Sequence, residues 1–348
     1  MSQGTQVFVG AGQWTSTKKS GALHRGSGDG DWEQLTKGLP QPVSVQAITI
    51  HPTNRDVIFV GTQDGPYRST DGGSTWERTG FPSGLQVWSI TFHPRDPRVV
   101  FAGTSPVAVF RSDDGGSTWR KLPNAKQDRD RITMAFPSRV MRIAITPGHP
   151  DAIYAALEVA GVLRSVDGGE TWEDCSDPLE KLAERPNLKS KIQSDSEAEG
   201  MLDAHALLVS DAAPSSVFLA VRMGLFRSDD RGKTWQDMEV GRFSPLTYGR
   251  DIRVSPQDAN VLYAALSPAA RSQDGSVYRS ADLGRTWTRF DHGVKAHATM
   301  MSLALHPRDA AQVYCVSRCG QVFGTRDGGK SWRESPLPVD DVYAIACS

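Results

Sequence analysis

Six copies of one eight-residue phrase run through this chain, and their spacing constrains the fold more than any other feature. They occupy residues 69–76, 112–119, 165–172, 228–235, 280–287 and 325–332, and share the pattern Ser/Thr-x-Asp-x-Gly-x-Thr/Ser-Trp. The aspartates of successive copies (Asp71, Asp114, Asp167, Asp230, Asp282 and Asp327) lie 43, 53, 63, 52 and 45 residues apart. A period of about 40–50 residues made of short strands predicts an all-β propeller.

The stretch before each copy supports that architecture. Residues 45–52 alternate apolar and polar side chains and stop at a proline, 57–61 form a short apolar run, 66–69 lead into the phrase and 76–78 leave it. Read as strands, these make one four-stranded blade. The series places blades at about 43–82, 85–123, 139–177, 202–240, 248–291 and 299–337. A seventh is shared by 6–38 and 339–348, because the chain ends on a first-strand pattern and begins on a second-strand one. Pairing the two closes the ring and removes an exposed sheet edge. The expectation is a single seven-bladed domain over residues 1–348.

The repeated phrase has a structural logic. An aspartate can accept N–H groups of its own turn. The glycine two residues on tolerates a positive φ. The tryptophan brings a large apolar plug with one N–H to satisfy. A calcium loop is the competing reading, but the spacing lacks the alternating ligands and closing glutamate of an EF-hand. The phrase resembles the Asp box of the BNR-repeat propellers, a group that includes sialidases, sortilin-type receptors and photosystem assembly factors, and WD40/YVTN-like repeats share the blade plan. That resemblance implies an architecture and leaves the activity open.

Composition bounds the partners. A net charge of −1 argues against a nucleic-acid surface. No apolar run is long enough to span a membrane. With no leader-like segment before the first strand, a cytoplasmic location is expected. The four cysteines (Cys175, Cys315, Cys319 and Cys347) have no framework spacing and are expected as thiols. His51, His93 and His306 precede prolines at one blade position and are expected in turns, as is His149.

Shared residues hold the scaffold, so departures from the repeat are where function is sought. Insertions at 124–139, 178–200, 241–248, 267–275 and 291–299 fall on the face opposite the Asp boxes; the second begins with a helix-like run and continues as a polar stretch that would suit a lid. Aligning the first strands puts Gln46, Trp88, Met141, His205, Arg250, Met301 and Tyr343 at one ring position. Arg142 and Asp251 follow it by one residue. Arg139, Asp203 and Asp341 lie nearby, and Asp64, Glu158, Arg222 and Arg318 sit in second-to-third-strand loops. An axial pocket on the insertion face is therefore expected. Trp88, Arg139, Arg142, Arg222, Arg250, Asp251 and Arg318 are its candidate binding residues, since guanidinium forks suit carboxylates. His205, Asp203 and Tyr343 are candidate catalytic residues, an imidazole beside a carboxylate being the unit of general acid–base chemistry. His205, His297 and Glu158 would also suit a divalent transition metal. Arg–Asp pairs lining a wet channel and a satisfied His–carboxylate pair are the structural alternatives.

Three classes of function stay open. One is a hydrolase or lyase acting on a small carboxylate-bearing or uronate-like, saccharide-like ligand, as monomer or homodimer. A second is an assembly scaffold like the photosystem factors. A third is a metal-dependent enzyme. True sialidase activity is disfavoured, because the six blades and early Arg-Ile-Pro motif that the resemblance would imply do not occur. A xyloglucanase-like cleft between two propellers would need a dimer.

Overall fold

The computed structural model describes residues 4–12, 21–126, 136–189 and 200–348. They form seven four-stranded antiparallel sheets. Each runs from an inner strand at the axis to a two- or three-residue outer strand; the first, for example, is Val45–Ile50, Ile58–Thr62, Gly65–Ser69 and Glu77–Arg78. In the seventh sheet the inner strand Val342–Cys347 pairs with Val7–Ala11, which continues to Ala22–Gly26 and Glu33–Leu35. Among the described residues no helix is long and apolar enough to cross a membrane.

The core lies between blades. Phe8, Leu23 and Leu35 of the seventh sheet pack on Val45, Ile58, Tyr67 and Trp76 of the first. Phe59 of the first packs on Val87, Val100 and Phe110 of the second. Burying such side chains contributes about 1.5–3 kcal/mol each. Where neighbouring blades approach closely the side chain disappears: a Cβ on Gly61 would lie 2.5 Å from the Val87 carbonyl oxygen.

Each Asp box is a closed hydrogen-bonded unit. In the first, Asp71 accepts the Thr75 backbone N–H at 2.9 Å and its hydroxyl at 2.6 Å, while Ser69 Oγ donates to Asp71 and accepts from Gly73 N–H. Trp76 Nε1 donates to the Gly73 carbonyl at 3.0 Å. The other five boxes repeat the Asp–Thr/Ser pairing. Two consecutive residues take positive φ (69° at Gly72 and 91° at Gly73), whereas one was expected from the pattern. Arg231 and Leu283 adopt that conformation at the first of these positions, held by the surrounding bonds. Arginines on the third strands tie one blade to the next. Arg68 donates to the Gly115 carbonyl, Arg164 to that of Arg231 and Arg25 to that of Gly72, so each ties its blade to the next box.

The turn histidines behave as expected at His51 and His93, whose Nδ1 atoms accept the N–H groups two and three residues on; His306 accepts the first of these. His149 instead lies in the strand His149–Leu157, just after a turn at 147–148. All four cysteines are free thiols.

Candidate functional site

The ring position aligned from sequence is a β-bulge in all seven inner strands. Pairing jumps across Gln46, Trp88, Met141, His205, Arg250 and Met301, and likewise across Tyr343. A bulge leaves its extra residue out of the ladder and re-aims the side chain. Here all seven turn inward and line one axial constriction of about 70 Å³.

The channel has two unlike mouths. On the face opposite the Asp boxes, a funnel of about 710 Å³ is walled by Gln41, Ser44, Gln63, Phe136, Arg139 and others, and shares Gln46, Trp88 and Tyr343 with the constriction. Trp88 and Tyr343 meet edge to face at 5.4 Å. The Arg139 guanidinium stacks on Trp88 at 4.1 Å and on Phe136 at 4.5 Å. Its ion pair with Glu158 spans 2.8 Å. Burial raises the Glu158 pKa, with Arg139 opposing.

His205 is fixed from three directions. Nδ1 lies 2.7 Å from the Gly249 carbonyl, so it carries a proton and donates there. Nε2 lies 3.3 Å from an Asp203 oxygen and 3.3 Å from the Tyr248 hydroxyl. As an imidazolium it donates to Asp203; as a neutral ring it accepts from Tyr248. Burial opposes ionisation of Asp203, but His205, then Arg250 and Arg222, outweigh it and hold its pKa below the ordinary carboxylate value. Burial pushes the Tyr248 and Tyr343 phenols up to about 12. The His205 side chain is only 1% exposed.

Arg250 has a different situation. It lines the constriction half-buried, and no hydrogen bond or ion pair reaches its guanidinium among the described residues. Burial disfavours its charge; Tyr248, Glu158, Asp203 and Tyr343 outweigh that from a distance and raise its pKa. Arg318 pairs with Asp341 at 3.6 Å, and burial, then Arg250, lowers its pKa.

Several sequence expectations are corrected. Arg142 and Asp251 lie toward the Asp-box mouth, outside the funnel: Arg142 and Arg253 clamp Asp251 at 3.0 Å each. The cause is the bulge, after which the next residues point down the channel. Asp64 turns away from the axis to pair with Arg78. The metal set of His205, His297 and Glu158 is not assembled. His297 is exposed, with its backbone N–H bound by Gln321, and no metal-binding group of three or more His, Cys, Asp or Glu forms among the described residues. Part of the 178–200 insertion is the helix Asp177–Ala183, seated on the core through Leu179 and Leu182; the lid expectation at 189–200 falls almost wholly outside the described residues. Tyr248, Phe136 and Arg253 were missed. Arg253 had a signal, because the same position in the other blades holds Thr49, Thr91, Ala144, Leu208, Ala304 and Ala346.

Comparison with known proteins agrees with the architecture. The BNR/Asp-box repeat family matches residues 226–237. A xyloglucanase of Paenibacillus sp is 27% identical over 173 residues, 45% of this chain. That match spans only 15% of the xyloglucanase's length. Among solved structures, an ancestral GH74 enzyme superposes with a TM-score of 0.61 at 18% identity, covering 90% of this chain and 39% of its own. YCF48 bound to D1 peptide superposes at 0.56 and 16% identity, covering 94% and 86%. The chain is a seven-bladed propeller of BNR/Asp-box repeats.

Proposed function

We propose that this propeller is a hydrolase that binds a carboxylate-bearing, uronate-like saccharide in the funnel, its reacting end reaching the axial constriction, where Arg250 holds the carboxylate and His205 moves the proton. The observation that carries this reading is the Arg250 guanidinium. Arg139, Arg142, Arg253 and Arg318 all have carboxylate partners, and Arg250 has none among the described residues. A half-buried charge without a partner favours a ligand that supplies one. Aromatic faces at Trp88 and Tyr343 suit the apolar face of a sugar ring. The partial similarity to a xyloglucanase supports a saccharide ligand.

In hydrolysis the His205 imidazolium would give its Nε2 proton to the leaving glycosidic oxygen as the C–O bond breaks. Water would add to the anomeric carbon, and its released proton would restore the imidazolium, which Asp203 stabilises. Elimination from the same ligand, the lyase route, would leave an unsaturated uronate, which ultraviolet absorbance distinguishes. The test is turnover of uronate oligosaccharides. Arg250→Ala should raise KM about 10–100-fold, the range for a lost charged hydrogen bond. His205→Ala should abolish turnover while binding persists. Wild-type binding by Arg250→Ala would overturn the assignment.

A second reading is a non-catalytic scaffold that grips the carboxylate of a peptide chain end. Its support is the burial of His205 and the pairing of Glu158, Asp203, Asp251 and Asp341 with basic partners, which leaves none of these four as the free carboxylate pair of common glycosidases. Under that reading Arg250→Ala loses a peptide partner and no saccharide is turned over.

A further inference from the structure

The opposite end of the axial channel carries a second mouth, whose inner end borders the constriction that Arg250 lines. This mouth, on the Asp-box face, encloses about 440 Å³ and draws walls from all seven inner strands. Aliphatic side chains, Ile50, Ile90, Ile145, Ile252, Leu303 and Ile345 among them, line it together with Thr49, Thr91, Arg142 and Arg253. Two guanidinium groups stand at its inner end. Arg142 Nη2 and Arg253 Nε each bond Asp251 at 3.0 Å.

Asp251 is itself fully committed. Its oxygens also accept from Ser302 Oγ, Leu303 N–H and Ile252 N–H, each at 3.0 Å, and its side chain is 1% exposed. One carboxylate therefore serves two arginines, and the cluster keeps a net charge of +1. Arg142 Nε is buried without a hydrogen-bond partner, and neither arginine has a partner beyond Asp251 among the described residues. The Arg142 and Arg253 side chains are 26% and 32% exposed, so the excess charge is open to an incoming anion.

We propose that this mouth binds a short aliphatic monocarboxylate head-inward, its carboxylate on Arg142 and Arg253 and its alkyl chain along the isoleucine wall. A monoanion matches the single excess charge, and a planar carboxylate matches the guanidinium forks. The volume lies in the range of small-molecule sites. Arg142 and Arg253 are absent from the funnel wall, although both border the constriction together with Arg250.

The test uses the whole protein with octanoate as probe, followed by calorimetry and by isoleucine-methyl NMR. One octanoate per chain is expected, with affinity rising about fourfold per added methylene from butanoate upward. The methyl signals of Ile50, Ile145 and Ile252 should shift, and saturating galacturonate in the funnel should leave the binding unchanged. Arg142→Gln should weaken octanoate at least tenfold; should that variant fail to fold, the wild-type methyl map decides. The proposal fails if octanoate does not saturate, if octanol binds as tightly, if those three methyls stay still, or if galacturonate competes.

Discussion

At the residue scale, what sets a side chain's role here is whether its charge has a partner. The box aspartates are exposed yet saturated with donors. The hydroxyl of Thr75, then its backbone N–H, holds the Asp71 pKa at about 2; equivalent bonds do the same for Asp114, Asp167 and Asp327. A carboxylate with a depressed folded pKa stabilises the fold above its unfolded value, near 3.8, and loses that contribution as pH falls toward 2. Thermal stability is therefore expected to decline steeply between about pH 4 and pH 2. Asp71→Asn, which keeps an acceptor but no titrating charge, should flatten part of that decline; an unchanged profile would show that the boxes do not control it. Arg250 is the converse case, a charge to which the described residues supply no direct partner, and for that reason it anchors the functional reading.

At the scale of elements, the bulge and the small residue behind it do the positioning. Seven bulges at one height give the constriction its lining, and the residues that vary among them differentiate the blades. The bulge is not legible in the sequence as a bulge. An alternating strand of six or seven residues looks the same with or without one unpaired residue. The aligned position was still visible, because Gln46, Trp88, His205, Arg250 and Tyr343 break a repeat that is otherwise apolar or small. Gly61 is the companion feature, since the next blade's backbone occupies the space of its Cβ. Gly61→Ala should destabilise by about 1–3 kcal/mol, the range for overpacking, as read from denaturant midpoints. A neutral result would mean that the blades can separate locally.

At the scale of the whole molecule, the ring joins chemistry from distant parts of the chain. The strand Val342–Cys347 supplies both the inner strand of the seventh sheet and the Tyr343 wall of the channel. Deleting residues 342–348 should expose the Val7–Ala11 edge and give association or loss of cooperative unfolding, measured by scattering and calorimetry; a monomeric, cooperative product would show that this pairing is dispensable. The blade plan, the boxes and most of the axial charges, Arg253 excepted, are legible in the sequence, because each repeat is local and recurs six times. The sequence could not say which charge faces which. His205 meets Tyr248 across 43 residues and Arg142 meets Asp251 across 109. Only ring closure sets those distances, and only the bulges decide which side chains face the funnel and which face the other mouth. That is why Arg142 and Asp251 could be singled out from the repeat yet assigned to the wrong end of the channel.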